Sequence, residues 1–207
     1  MEANGITYEL VKGLYQKKGY KFYDKQNYDC NFFGIRSKNI DQSADKFDDV
    51  IGLCFLSEGL PICIAAAGTT DPSLLNLQDP QFPEAQKNGT AILCEGYYPS
   101  VYQLGMHGRG AWQHDALVQV GKFRIFRDNN RDEILDFDAP ITEGVYGMNL
   151  HMAHPNFDLE KIGYYSAGCQ VVQNGQLHRR MMFYSRKQIQ ALKVNKFSYA
   201  LFNESDL

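Results

Sequence analysis

The chain has 207 residues, 44% hydrophobic and 22% charged, with a formal net charge of −3. That is an ordinary globular composition, long enough for one well-buried core. It argues against a nucleic-acid binder, because no cationic excess is present to neutralise a run of phosphates. No segment approaches the ~20 apolar residues of a membrane span, and the first residues lack the apolar core of a signal peptide. The expectation is cytoplasmic synthesis without an export signal, and no membrane insertion. The five cysteines are scattered, odd in number and free of any CxxC, which argues against a disulfide framework or a structural zinc site.

In chain order, residues 6–18 place Ile6, Leu10, Val11 and Leu14 at helical spacing, with Gly19 as a stop. Residues 1–28 are read as a helical extension packed on a single domain covering 1–207. From there the chain turns β-like. Strands are predicted over 32–36, 48–56, 61–68, 89–96, 100–106, 116–127, 144–151, 168–172 and 197–202, mostly separated by Gly, Pro, Asn and Asp. The 13 Tyr and 13 Phe favour strands and a groove able to stack on a polar substrate. Cys54, Cys63 and Cys94 sit in apolar runs and read as buried small hydrophobes. The proline-bearing stretch 69–88 is a long loop, either functional or a surface excursion. Residues 185–193 look helical, with Ser185 as the cap. The fold class is mainly β, a sandwich or barrel with short peripheral helices.

The segment NLHMAHPNFDLEKIGYYSAGCQVV, residues 149–172, carries the chemistry. On a strand over 144–151, Val145, Gly147, Asn149 and His151 share one face, small and polar enough to floor an open cleft. A polar excursion follows and returns at Ser166-Ala167-Gly168-Cys169. Gly168 permits a tight turn and leaves room for a carbonyl beside the sulfur. Successive backbone N–H groups in such a turn can bind an oxyanion. A histidine within reach can take the thiol proton and make a nucleophile.

These residues resemble the active-site signature of the L,D-transpeptidases, the YkuD-like fold: a histidine, a gap of mid-teens length, then Ser/Thr-His-Gly-Cys. His151, Ser166, Gly168 and Cys169 match in order and spacing, and GVYGMNLH resembles the strand that bears the family's histidine. The resemblance implies a β-sandwich or barrel of that type. It implies Cys169 as nucleophile, His151 as general base, and an oxyanion hole around Gly168 and Cys169, with no cofactor. Ala167 stands where the family has a second histidine, Met152 where glycine or serine is common, and Gln170-Val171 replaces the usual continuation. The strong match covers about 30 residues. In style the whole chain also resembles proteins encoded by bacteriophages and prophages.

Further residues are candidates for substrate binding. The segment 105–115 holds His107 and Arg109 among glycines, and Arg109 suits a carboxylate clamp. His107 and His154 compete as the second cleft histidine. Arg36 suits either a substrate carboxylate or a structural ion pair, and Asn149 shares the face of His151. Zinc held by His107, His114, His151 and His154 has no supporting spacing. Asp128, Asn130, Asp132 and Asp136 occupy positions 1, 3, 5 and 9 of a calcium loop, but Glu133 and Ala139 stand where glycine and glutamate belong. The alternative is a hairpin turn with Asx-type hydrogen bonds.

The expected function is cysteine-dependent acyl transfer on peptidoglycan stem peptides through a thioester. Hydrolysis, as an L,D-carboxypeptidase or endopeptidase, is favoured over transpeptidation. Without an export signal, the chain is expected to reach the periplasm or cell wall through a holin, as an endolysin does, or through a secretion system. The alternatives are a non-catalytic phage or wall-binding module that kept the fold, and a cysteine hydrolase acting on another amide.

Overall fold

The computed structural model describes residues 3–38 and 45–207. In chain order the strands are β1 (Asn31–Arg36), β2 (Asp49–Ser57), β3 (Leu60–Thr69), β4 (Thr90–Leu93), β5 (Gly96–His107), β6 (His114–Gln119), β7 (Phe123–Asp128), β8 (Ile141–Gly144), β9 (Leu150–His154), β10 (Gln170–Asn174) and β11 (Phe197–Asn203). Eight of them close a barrel in the order β1-β11-β5-β6-β9-β10-β3-β2, and β4-β7-β8 form a second sheet. The mainly β expectation therefore holds, with the barrel as its form.

Strand alternation sorts the barrel into an inside and an outside. Phe32, Ile51, Leu53, Phe55, Ile64, Leu117, Leu150, Val172, Tyr199 and Leu201 belong to one buried cluster inside. Helix α4 (Gly175–Leu192) adds Met181 and Met182 to it. Phe33, Ile35, Val50, Cys54, Ala200 and Phe202 face outward and are covered by α1 (Tyr8–Lys17) through Tyr8, Val11, Leu14 and Tyr15. That spacing is one face of a helix, and Thr7 caps it by accepting the Leu10 N–H at 3.2 Å. Burying each such side chain stabilises the fold by about 1.5–3 kcal/mol. Cys54 and Cys94 are buried, as expected, while Cys63 keeps partial exposure.

Several sequence expectations move. The strand expected over 116–127 is two strands in different sheets. The chain turns at residues 120–122, where the N–H groups of Val120 and Gly121 both donate to the Val101 carbonyl. The strand expected over 144–151 begins only at Leu150. Gly147 has φ +75°, and the N–H groups of Tyr146 and Met148 donate to the Gln119 side chain instead of a neighbouring strand. The helix expected over 185–193 runs from Gly175 to Leu192, and its cap is Asn174, which accepts from Gln176 and Leu177 at 3.0 Å. Ser185 lies mid-helix and donates back to the Met181 carbonyl. The stretch 69–88 holds two short helices, α2 (Leu74–Gln78) and α3 (Pro83–Asn88). No helix among the described residues is long and apolar enough to cross a membrane.

Candidate active site

The site lies on the outer face of β9 and β10. These strands are parallel, with Gln170 opposite Leu150 and Val171 opposite His151. A parallel pair cannot be joined by a tight hairpin, so the intervening residues must cross over. That geometric need accounts for the gap between histidine and cysteine. With Leu150 and Val172 turned inward, His151 and Val171 turn outward, and Asn149 and Cys169 follow on the same side.

The crossover then covers this face rather than leaving it open. Ile162, Leu159 and Tyr165 pack with Phe47, Ala153, Val171 and Cys169. His151 is consequently only 3% exposed, which corrects the expectation that it points into an open cleft. Only the upper part of the expected floor is open, where Val145 and Gly147 are exposed.

Cys169 is half-buried and lines a cavity of about 580 Å³ together with Ala167, Gly147, Tyr146, His107 and residues of α3. Its Sγ hydrogen-bonds the Gly147 carbonyl oxygen at 3.7 Å. No imidazole is hydrogen-bonded to the sulfur among the described residues. Burial pushes the thiol up to about 11, against a smaller lowering by the Asn149 backbone.

Ser166 and Gly168 build the turn. Ser166 is fully buried, and its hydroxyl lies 2.8 Å from the Asp71 carbonyl oxygen and 2.9 Å from that of Cys169. Its own carbonyl accepts from the Ser73 N–H and the Asn76 side chain. The residue pins the crossover to α2 and does not face the cavity. Gly168 has φ +113°, and a Cβ there would stand 2.5 Å from the Ala91 carbonyl oxygen, so no other residue fits. Its N–H donates to the Ser166 hydroxyl at 3.2 Å. It is therefore not offered to an oxyanion, contrary to expectation.

Four imidazoles form a cluster, of which His107 shares the cavity of Cys169. His151 stacks on His107 with centroids 3.9 Å apart, and His114 lies within ring contact of His107, His151 and His178. Hydrogen-bond partners dictate the tautomers. His151 Nδ1 is 2.9 Å from the Met152 carbonyl oxygen, which only accepts, so Nδ1 carries the proton and Nε2 is a bare lone pair. Asn149 takes the Gln119 N–H on its oxygen, so its amide nitrogen donates to His107 Nδ1 at 3.0 Å and the His107 proton sits on Nε2. His114 Nδ1 donates to the Trp112 carbonyl. His114 Nε2 and His151 Nε2 are buried without a hydrogen-bond partner among the described residues. Burial holds His151 well below the ordinary imidazole value and pushes His178 down to about 3. Burial and His114 also lower His107. A second cavity of about 250 Å³, on whose wall His107 also stands, is lined by His114, His151, Trp112 and Tyr165.

The other candidates lie elsewhere. His154 stacks on Phe157 and accepts from the Asn156 and Phe157 N–H groups, apart from the other imidazoles. Arg109 is exposed and lines neither cavity. Arg36 is 2% exposed, pairs with Asp71 at 2.7 Å and donates to the Leu93 and Thr70 carbonyls. It occupies the structural ion pair, not a substrate site. In the 128–136 loop, Asn130 donates to the carboxylates of Asp132 and Asp136 while Asp136 N–H donates to Asp128, an Asx-type network. Among the described residues, no three His, Cys, Asp or Glu are grouped to hold one metal ion.

Three side chains at or around the candidate site escaped the sequence reading. His178 comes from α4, far along the chain, with no local signal. Gln119 orders the approach to His151 by accepting the Tyr146 and Met148 N–H groups. Arg127 grips Glu84 of α3 and lies over the Tyr146 ring, fixing the far wall of the cysteine cavity. A comparison of the chain with protein-family models, curated proteins and solved structures finds no match.

Proposed function

We propose that the protein is a cysteine acyl-transfer enzyme of the L,D-transpeptidase type that acts on peptidoglycan stem peptides, chiefly as a hydrolase. The observation that carries this reading is the state of His151. Its Nδ1 proton is held by the Met152 carbonyl and its Nε2 lone pair is free, on the same sheet face as Cys169 of the adjacent strand. An imidazole so oriented can accept a proton and is held in that tautomer by a backbone acceptor. The cavity that Cys169 lines gives a peptide carbonyl access to the sulfur.

In the proposed reaction Cys169 Sγ attacks the carbonyl at the L-centre of the stem diamino acid, and its proton passes to His151 Nε2. The tetrahedral intermediate collapses to a thioester as the amine beyond it leaves with that proton. Water, deprotonated by His151, then releases the acyl group and restores the thiol. An amine in place of water would give a transpeptidase. His107, protonated on Nε2 and standing in the same cavity, is the donor suited to the substrate carbonyl.

Masses of muropeptides after incubation with the reduced protein test the reading. Loss of the terminal stem residue, or cleavage of a crosslink, is expected with the wild type and not with Cys169→Ala. Unchanged masses across several stem chemistries would overturn it.

The second reading is a non-catalytic wall-binding or phage module. It is favoured by the Sγ bond to Gly147 and by the raised thiol. Sedimentation with intact sacculi, without any mass change, would favour that reading.

A further inference from the structure

We infer that Cys54 and Cys63 form a redox-active pair that closes to a disulfide across the β2–β3 hairpin. This does not rest on the proposed activity, and it departs from the sequence reading of both as inert hydrophobes.

The strands are joined by a two-residue turn in which Glu58 has φ +52° and Gly59 φ +77°, the mark of a type I′ hairpin. Register from that turn is strict. Ser57 opposite Leu60 is the first hydrogen-bonded pair, and pairs alternate from there. Leu56 opposite Pro61 falls on a non-hydrogen-bonded position, which suits a residue without an N–H. Cys54 opposite Cys63 falls on the next such position. There the Cα atoms of opposed residues approach to about 4.5 Å, inside the range a disulfide spans. The two sulfurs stand 2.8 Å apart and both thiols are free.

The two differ in access. Cys54 is 0% exposed beneath α1, whereas Cys63 keeps partial exposure on the same outer face. A low-molecular-weight disulfide such as oxidised glutathione therefore meets Cys63 first. The Cys63 thiolate attacks it, forming a mixed disulfide and expelling one thiolate. Cys54, already in contact, attacks the Cys63 sulfur and expels the second. Two cysteine thiols are oxidised, one external disulfide is reduced to two thiols, and both protons go to the leaving thiolates. The product ties the hairpin on the barrel wall that α1 covers, removing freedom from the unfolded chain.

The test incubates the folded protein with oxidised glutathione, blocks free thiols, and digests with a protease that cuts after Glu58. A nonreduced fragment joining the Cys54 and Cys63 peptides is expected, with an intact mass lower by about 2 Da. Reduction should separate the two peptides. Cys63→Ser, at the partly exposed position, should give no joined fragment while remaining folded by circular dichroism. A stable glutathione adduct on Cys63 without the crosslink would overturn the inference. So would full alkylation of Cys54 in denaturant after oxidation.

Discussion

Two buried polar centres sit on the two faces of this barrel. Inside, at the end of β1, the Arg36 guanidinium meets Asp71 and two carbonyls, and nearby Asp49 accepts from the Ser37 and Thr70 N–H groups and the Thr70 hydroxyl. Outside, on β9, His151 is as deeply buried with its Nε2 unpartnered, and inside Arg36 Nε likewise has no hydrogen-bond partner among the described residues. A buried polar atom ordinarily finds a partner, because leaving it bare costs about 1–3 kcal/mol. The inner centre ties strands together. The difference is chemical: the bare atom inside belongs to a guanidinium already paired with a carboxylate, whereas the one outside is an imidazole lone pair on a cavity wall, a group able to take a proton.

The contrast can be broken most decisively at His151. His151→Gln should lower kcat on stem peptides by about 10²–10⁴-fold, the usual worth of a general base. Stability should move by less than about 1 kcal/mol, since the Gln amide nitrogen can keep the donation to the Met152 carbonyl and Nε2 makes no hydrogen bond that would be lost. Kinetics on muropeptides paired with urea unfolding check both halves. A large loss of stability would place His151 with the inner centre.

Arg36→Met should behave in the opposite way. It leaves Asp71 buried without its cation, and removing one partner of a buried pair costs about 3–5 kcal/mol. Urea titration should show the fall, and residual folded protein should keep its kcat.

The thiol offers the next measure. With Cys169 held at about 11 against an ordinary 9.0, its thiolate fraction at pH 7 should be about 100-fold below that of a free thiol. Alkylation of the free protein should be correspondingly slow and should rise with pH toward that value. Fast alkylation at pH 6–7 would show that His151 already holds the proton in the absence of substrate.

The smallest effect is a dependence on acid. The buried histidines have folded values below the unfolded 6.5, so the unfolded chain takes protons first as pH falls. Their contribution is fully present above about 6.5 and is lost as pH drops toward the folded values, about 3 for His178. At pH 5 the loss is about 2 kcal/mol for His178, and His151 acts in the same direction. Denaturation midpoints between pH 7.5 and 5 should show it, and His178→Phe should flatten the slope.

Much of the secondary structure was legible because it depends on neighbours in sequence. The helix expected over 6–18 and found at 8–17 follows from a periodic apolar face with a glycine stop, and β2 and β3 follow from apolar runs at 48–56 and 61–68. Where the reading slipped, a distant partner had intervened. Gln119 draws the 145–149 backbone out of the expected strand, and Asn174 caps α4 eleven residues before the serine assigned that role. The site was half legible. The cysteine, the histidine and the glycine between them could be named from order and spacing. Which imidazoles surround them could not, because His107, His114 and His178 arrive from β5, β6 and α4.

By itself, the order of residues determined that the chain is β-rich, that its N-terminal helix presents one apolar face, and that a histidine and a cysteine are separated by a crossover. These are short-range matters of periodicity, turn chemistry and chain length. Only the tertiary structure decided that the crossover folds back as a cover, that Arg36 is spent on Asp71, and which nitrogen of each imidazole bears a proton. Burial and hydrogen-bond partnership belong to the closed barrel as a whole, since each is set by side chains brought together from strands far apart in the chain.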